Sequence, residues 1–191
     1  MSGQVVTMNS SFTHLGIGIL AAVLFAYLLM ALNFQSWSDP LIIISALPGA
    51  FSGIMWALFI TQTTLNVPSL MGALMTTGVA TANSILVVSF ANDLRPEGKN
   101  AMEAALEAGS TRLRPVCMTA LAMIVGMLPM ALALGQGGSQ NAPIGRAVIG
   151  GLLFATMGTL IVVPVLYTLI RKQPPVDFER RIVEETQGEF K

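Results

Sequence analysis

Five stretches of this chain, 15–33, 41–61, 67–91, 116–135 and 144–170, contain no Asp, Glu or Lys, and the only Arg among them is Arg146, near the start of the last. Each is close to the ~20 residues an α-helix needs to cross ~30 Å of hydrocarbon. Lipid offers no water to backbone N–H and C=O groups, so apolar segments of this length must be helices; a closed barrel would need alternating strands of ~10 residues instead. The predicted fold class is all-α, a polytopic transmembrane bundle of about five spans. Charge content supports this: 10% of residues are charged and mean hydropathy is +0.70, against roughly 25% charged in soluble domains.

The connections divide the chain into a lead-in over 1–14, a bundle over 15–172 and a tail over 173–191. Five crossings put the two ends on opposite sides. Of ten basic residues, Arg95, Lys99, Arg112 and Arg114 fall in the third connection, and Arg171, Lys172, Arg180, Arg181 and Lys191 follow the fifth span, so nine share one face and Arg146 stands apart. Positive charge accumulates on the cytoplasmic side. The expected topology therefore leaves the N-terminus outside and the C-terminus cytoplasmic. Between the third and fourth spans, Met102, Ala105, Leu106, Gly109 and Leu113 recur at helical spacing opposite Lys99, Glu103 and Glu107. That pattern predicts an amphipathic connecting helix over about 97–112 at the cytoplasmic interface. Glu103 and Glu107 lie one turn apart; a solvated face is their ordinary role, a shared cation the alternative.

Lipid tails are as apolar as leucine, so membrane helices associate through small residues and interhelical hydrogen bonds. Gly49 and Gly53 form a GxxxG, Gly78 and Ala82 continue the pattern in the third span, and Ala147, Gly151 and Ala155 stripe the last. Gly49, Gly53, Gly78, Gly151 and Ala155 are the expected packing positions. Pro48, Pro129 and Pro164 each lack a backbone donor and are expected to kink their helices. Methionines such as Met71, Met75, Met123 and Met127 suit irregular gaps, since no His, Cys or carboxylate is interleaved with them to make a metal path. The lone Cys117 reads as a small buried apolar side chain.

Ionisable groups inside a membrane mark ion routes, and these spans hold almost none. What remains is neutral: Thr76, Thr77, Thr81, Asn83, Ser84 and Ser89 in the third span, Thr119 in the fourth, Thr156 and Thr159 in the fifth. Asn83, an amide near mid-span, must find a partner away from lipid, and helix-to-helix glue is its ordinary role. No nucleophile–base pair, phosphate-binding glycine loop, HExxH or CxxC is present, so neither an enzyme nor a cofactor or metal site is expected. The balanced charge offers no case for nucleic acid.

Several motifs then occur in order: Phe34-Gln35-Ser36-Trp37 with Asp39-Pro40, the run from Gly78 to Val87, Phe90-Ala91-Asn92-Asp93, Arg112-Leu113-Arg114-Pro115 through Met118-Thr119, and Gln140-Asn141-Ala142. Together they resemble the C-terminal membrane half of resistance-nodulation-division (RND) efflux transporters of the hydrophobe and amphiphile exporter type. The likeness extends to about Lys172, and the five spans correspond to the eighth to twelfth helices of a twelve-helix protomer.

This resemblance implies a trimeric inner-membrane antiporter that couples proton influx to export of drugs and other amphiphiles, with a periplasmic adaptor and an outer-membrane channel as partners. In the family, aspartates of the fourth helix pair with a lysine of the tenth and a threonine of the eleventh. The threonine falls on Thr119, and the relay lysine position is occupied by Ala82, a departure that leaves Thr81, Asn83 and Ser84 as neutral proton-relay support. The aspartates, the periplasmic domains and the other seven helices lie outside these residues, so the chain is expected to be a fragment or split-gene product that needs the remainder of the protomer. The alternatives are a self-sufficient oligomeric transporter or channel, and a membrane scaffold without transport.

Overall fold

The computed structural model describes the backbone of residues 2–95, 98–134 and 138–171, with side chains from Ser10 onward. The tail over 173–191 lies outside the described residues. Seven α-helices follow in chain order: α1 (Ser2–Phe34), α2 (Ser38–Ile44), α3 (Leu47–Ile60), α4 (Val67–Leu94), α5 (Ala101–Ala131), α6 (Gly138–Met157) and α7 (Val163–Ile170), with a π-helical turn (Gly158–Val162) joining the last two. They make five segments long and apolar enough to cross a membrane: Ser10–Phe34, Ser38–Ile60, Val67–Leu94, Ala101–Ala131 and Gly138–Ile170. Among the described residues there is no strand. The chain is an all-α bundle.

Local chemistry sets the breaks. Pro48 has no N–H to donate, and the second span divides just before it, α2 ending at Ile44 and α3 opening at Leu47. Asn66 opens α4 with a capping box: its Oδ1 accepts from Ser69 N–H at 3.0 Å, and Ser69 Oγ accepts from Asn66 N–H at 2.9 Å. Pro164 likewise cannot donate to the carbonyl four residues back, and the π turn sits directly before it, closed by Val163 N–H on Gly158 O. The expected connecting helix and the fourth span form one element, α5, with Pro115 and Pro129 inside it. The lead-in is helical from Ser2 and continuous with the first span.

α6 occupies the middle of the bundle, against α3, α4 and α5. Close approach explains its glycines. A Cβ on Gly151 would lie 2.5 Å from Thr76 Cγ2 and 2.8 Å from Ile54 Cγ1, and one on Gly72 would lie 2.8 Å from Ile144 O. Gly53 meets Gly150 and Phe154 as tightly, while Gly49 only touches Phe154 O, at 3.8 Å. Ala155 packs with Leu47, Ala50 and Ala80. Gly78 differs from its expected role, because no atom lies within 4 Å of where its Cβ would be. Its side of α4 borders a cavity rather than a neighbouring helix.

The outer helices are less covered. α1 meets chiefly α2 and α4, and Met30 is its only fully buried side chain among those described. On α5, Met118, Leu121 and Val125 are exposed. Arg95 and Arg171 meet where α4 and α7 finish, and Arg112 lies over Phe90 near the end of α4, at the basic end of the bundle.

Candidate functional site

Position along α4 decides what each relay residue can do. Thr81 and Ala82 line a cavity of about 270 Å³ together with Thr77 and Gly78 of the same helix, Ala22, Val23 and Ala26 of α1, and Leu47 of α3. The walls are mostly apolar. Thr81 donates its hydroxyl to Thr77 O at 2.8 Å, one turn back, so it has no proton left to offer the cavity in this arrangement. Asn83 and Ser84 face elsewhere and are buried. Ser84 Oγ is 3.0 Å from Thr159 Oγ1 in the π turn, with both side chains at 0% exposure. This pair ties α4 to the fifth span at mid-membrane.

Asn83 makes no hydrogen bond among the described residues, although only 7% of it is exposed. Its amide atoms are not among the fully enclosed ones, so the group is open to donors and acceptors at the bundle surface. Thr119 is exposed on α5 and donates to Val116 O at 2.9 Å; no hydrogen bond joins it to Thr81, Asn83 or Ser84. The five relay positions therefore do not form one connected chain here. Thr81 and Ala82 share the cavity, Ser84 is bonded to Thr159, Thr119 is bonded to Val116 O, and Asn83 has no hydrogen bond among the described residues.

Arg112 was not anticipated as a site residue. Its guanidinium lies 4.8 Å from the centroid of the Phe90 ring, and its Nε is buried without a hydrogen-bond partner. An aromatic face attracts a cation but leaves the N–H unpaired. It lies two helical turns from Thr119 on the same helix.

The polar concentration at the basic end was not anticipated either. Asp39, fully buried, accepts from Arg171 through Nε (3.2 Å) and Nη2 (2.8 Å) at Oδ1, and from Arg171 Nη2 and Asn92 Nδ2 (both 2.8 Å) at Oδ2. Tyr167 donates its hydroxyl to Asn92 Oδ1 at 2.7 Å, and Arg95 Nη1 donates to Arg171 O at 3.3 Å. With both oxygens doubly engaged, the carboxylate is held in a bidentate pair. The motif residues Asp39 and Asn92 were visible, but nothing in sequence says that the α1–α2 corner meets the end of α7.

The acidic pair on α5 takes separate partners. Glu103 Oε2 accepts from Asn100 N–H at 3.2 Å, and Glu107 pairs with Lys99 at 2.7 Å. No group of three or more His, Cys, Asp or Glu able to hold a metal occurs among the described residues. At the opposite end, Arg146 donates through Nε to Ala131 O (3.0 Å) and through Nη1 to Thr63 Oγ1 (2.6 Å), joining α6 to the C-terminus of α5 and to the α3–α4 connection.

Comparison with known proteins fits this architecture. The swarming motility protein SwrC of Bacillus subtilis is 38% identical over 164 residues, 85% of this chain and 16% of its own length. The cobalt-zinc-cadmium resistance protein CzcA of Cupriavidus metallidurans is 36% identical over 94% of this chain and 17% of its own. The toluene efflux pump membrane transporter TtgB of Pseudomonas putida is 37% identical over 78% of this chain and 14% of its own. The crystal structure of a heavy metal efflux pump superposes with a TM-score of 0.78 at 30% identity, covering 89% of this chain and 17% of the other. The chain thus spans about one sixth of the length of the curated relatives it matches. The model of the AcrB/AcrD/AcrF family matches residues 1–171, and the chain belongs to that family, the RND efflux transporters.

Proposed function

We propose that this chain is the C-terminal transmembrane portion of a proton-driven RND pump for amphiphilic compounds, and that it transports nothing without the remainder of the protomer. The observation that carries this reading is Asn83, a nearly buried amide on α4 with no hydrogen bond inside the chain. Arg112 on α5 points the same way: its Nε is enclosed within the chain, while its Nη groups make no hydrogen bond among the described residues. Both groups call for polar partners from helices that these residues do not include. Carboxylates on such helices would supply them, accepting from Arg112 and from the Asn83 amide.

Ala82 at the relay lysine position then has a mechanistic consequence. A carboxylate facing Ala82 has no ammonium beside it, and hydroxyls and amides can orient the group without competing for its charge. In this reading Asn83 orients the carboxylate without storing a proton, while Thr81 stays bonded to Thr77 O and Ser84 to Thr159. The complete pump is a trimer in the bacterial inner membrane, N-terminus of this chain periplasmic and C-terminus cytoplasmic, joined to a periplasmic adaptor and an outer-membrane channel. It performs no covalent chemistry.

Relatives named for cobalt, zinc and cadmium resistance favour a second reading in which metal ions are the cargo. Expression in a pump-deficient strain separates the cases. The chain alone should give neither dye efflux nor metal tolerance; coexpression with the rest of a cognate protomer should restore uncoupler-sensitive dye efflux. Proton-dependent export by the chain alone overturns the fragment reading, and restored zinc or cobalt tolerance without dye efflux overturns the amphiphile reading.

A further inference from the structure

The fifth span carries a pattern that a regular α-helix cannot keep on one face. Ala155, Thr159, Val163 and Tyr167 are each at most 2% exposed, and Arg171 follows at the same interval, each step being four residues. In a helix of ~3.6 residues per turn, the three steps from Ala155 to Tyr167 drift by about 120°, which would turn Tyr167 away from α4. The π-helical turn Gly158–Val162 falls within these steps. An i→i+5 turn takes in one residue more than an α turn, about 100° of rotation, and so removes most of the drift.

α4 has no such irregularity, and the two helices meet in matched register. Ser84 pairs with Thr159 and Asn92 with Tyr167, so both rungs join residues 75 positions apart. The second rung is held by Asp39, which accepts from Asn92 and Arg171 together. We propose that Asp39, Asn92, Tyr167 and Arg171 form a clamp, phased by the π turn, that makes α4 and α7 move as one body during transport. They are positioning residues: they fix the helix that bears Asn83 and Ser84 against the fifth span, while α1, across the cavity that α4 also lines, lies outside the clamped unit.

The functional arm of the test rests on the pump reading above; the structural arm does not. In a Cys117→Ala background, Asn92→Cys and Tyr167→Cys are introduced together and joined by a short bis-methanethiosulfonate. For the structural arm, the 191-residue chain is used in native membranes. Removing Ile161, which converts the π turn to an α turn, should leave crosslinking at the parental yield. Inserting one alanine after Ile161 should lower it by about tenfold or more. Loss of crosslinking on removal of Ile161, or full yield after the insertion, overturns the register device.

For the functional arm, export is measured with the complementing parts present and normalised to folded protein. The uncrosslinked pair should export on the order of tenfold less than the parent, and crosslinking should restore it. If the crosslink stops the residual export, fails to restore it, or joins helices whose uncrosslinked form already exports normally, the single-body proposal is wrong. Absence of export from the parent itself counts against the pump reading and leaves the structural arm standing.

Discussion

Replacing Gly53 by alanine places a methyl group in the seam between α3 and α6. Its Cβ would lie 2.6 Å from Phe154 Cβ and 2.9 Å from Phe154 Cδ2, about 1 Å inside ordinary carbon–carbon contact. Phe154 Cβ is fixed to backbone, so a change of rotamer gives no relief and the helices must separate. A radial gap of ~0.5–1 Å forfeits about a quarter to a half of each contact along the seam. The seam is equally close from the facing side, where a Cβ on Gly150 would lie 2.6 Å from Gly53 O. Overpacking of this kind costs about 1–3 kcal/mol, and the two-sided backbone contact puts Gly53→Ala at about 2–3 kcal/mol. Gly78→Ala and Gly126→Ala are the internal controls, because no atom lies within 4 Å of either position. They should fall within about 1 kcal/mol of the parent, on the stabilising side, through helix propensity. The assay is reversible unfolding of the purified chain in mixed detergent micelles, followed by loss of helical circular dichroism. If Gly53→Ala unfolds together with the two controls, the close α3–α6 approach is not what holds these helices.

Removing the charge from Arg171 alone (Arg171→Leu) strands the buried Asp39 carboxylate and should destabilise by about 3–5 kcal/mol; Asp39→Leu with Arg171→Leu should recover much of that loss in the same unfolding assay. Ser84→Ala should cost only about 0.6–1.7 kcal/mol, the range of interhelical polar contacts in membranes. Gln62 and Ala133 hold φ values of 51° and 57° just past the ends of α3 and α5, a conformation that suits glycine; Gln62→Gly and Ala133→Gly should each stabilise by up to about 1 kcal/mol. At the exposed Lys99–Glu107 pair, Glu107→Gln should shift unfolding by less than about 1 kcal/mol, and less still in high salt.

The five crossings were legible because hydrocarbon thickness imposes a length that sequence either meets or does not. Which glycines pack was not. Gly53 and Gly78 both sit in small-residue patterns, yet one meets Gly150 and Phe154 while the other borders the cavity; the difference lies in which face a neighbour happens to cover. Pro48 and Pro164 announced irregular backbone, but not that one would divide a span and the other accompany a π turn. That second outcome did leave a trace, the run of four-residue steps from Ala155 to Arg171. Asp39 and Asn92 stood in plain view within motifs, but the attachment of Asp39 to both Arg171 and Asn92 stayed hidden because it closes loops of 132 and 53 residues. Arg112 is the same lesson with the opposite sign: its charge was counted toward orientation, while its buried, unanswered nitrogen appears only in three dimensions.

Arg146 is the one basic residue inside the five apolar stretches, and its surroundings offset the cost of a cation there. It caps the negative pole of α5 through Ala131 O, where a helix C-terminus welcomes a cation, while its other arm holds Thr63 beyond the end of α3. One guanidinium thereby fastens three segments at the end of the bundle away from Asp39, and a neutral replacement would loosen all three together.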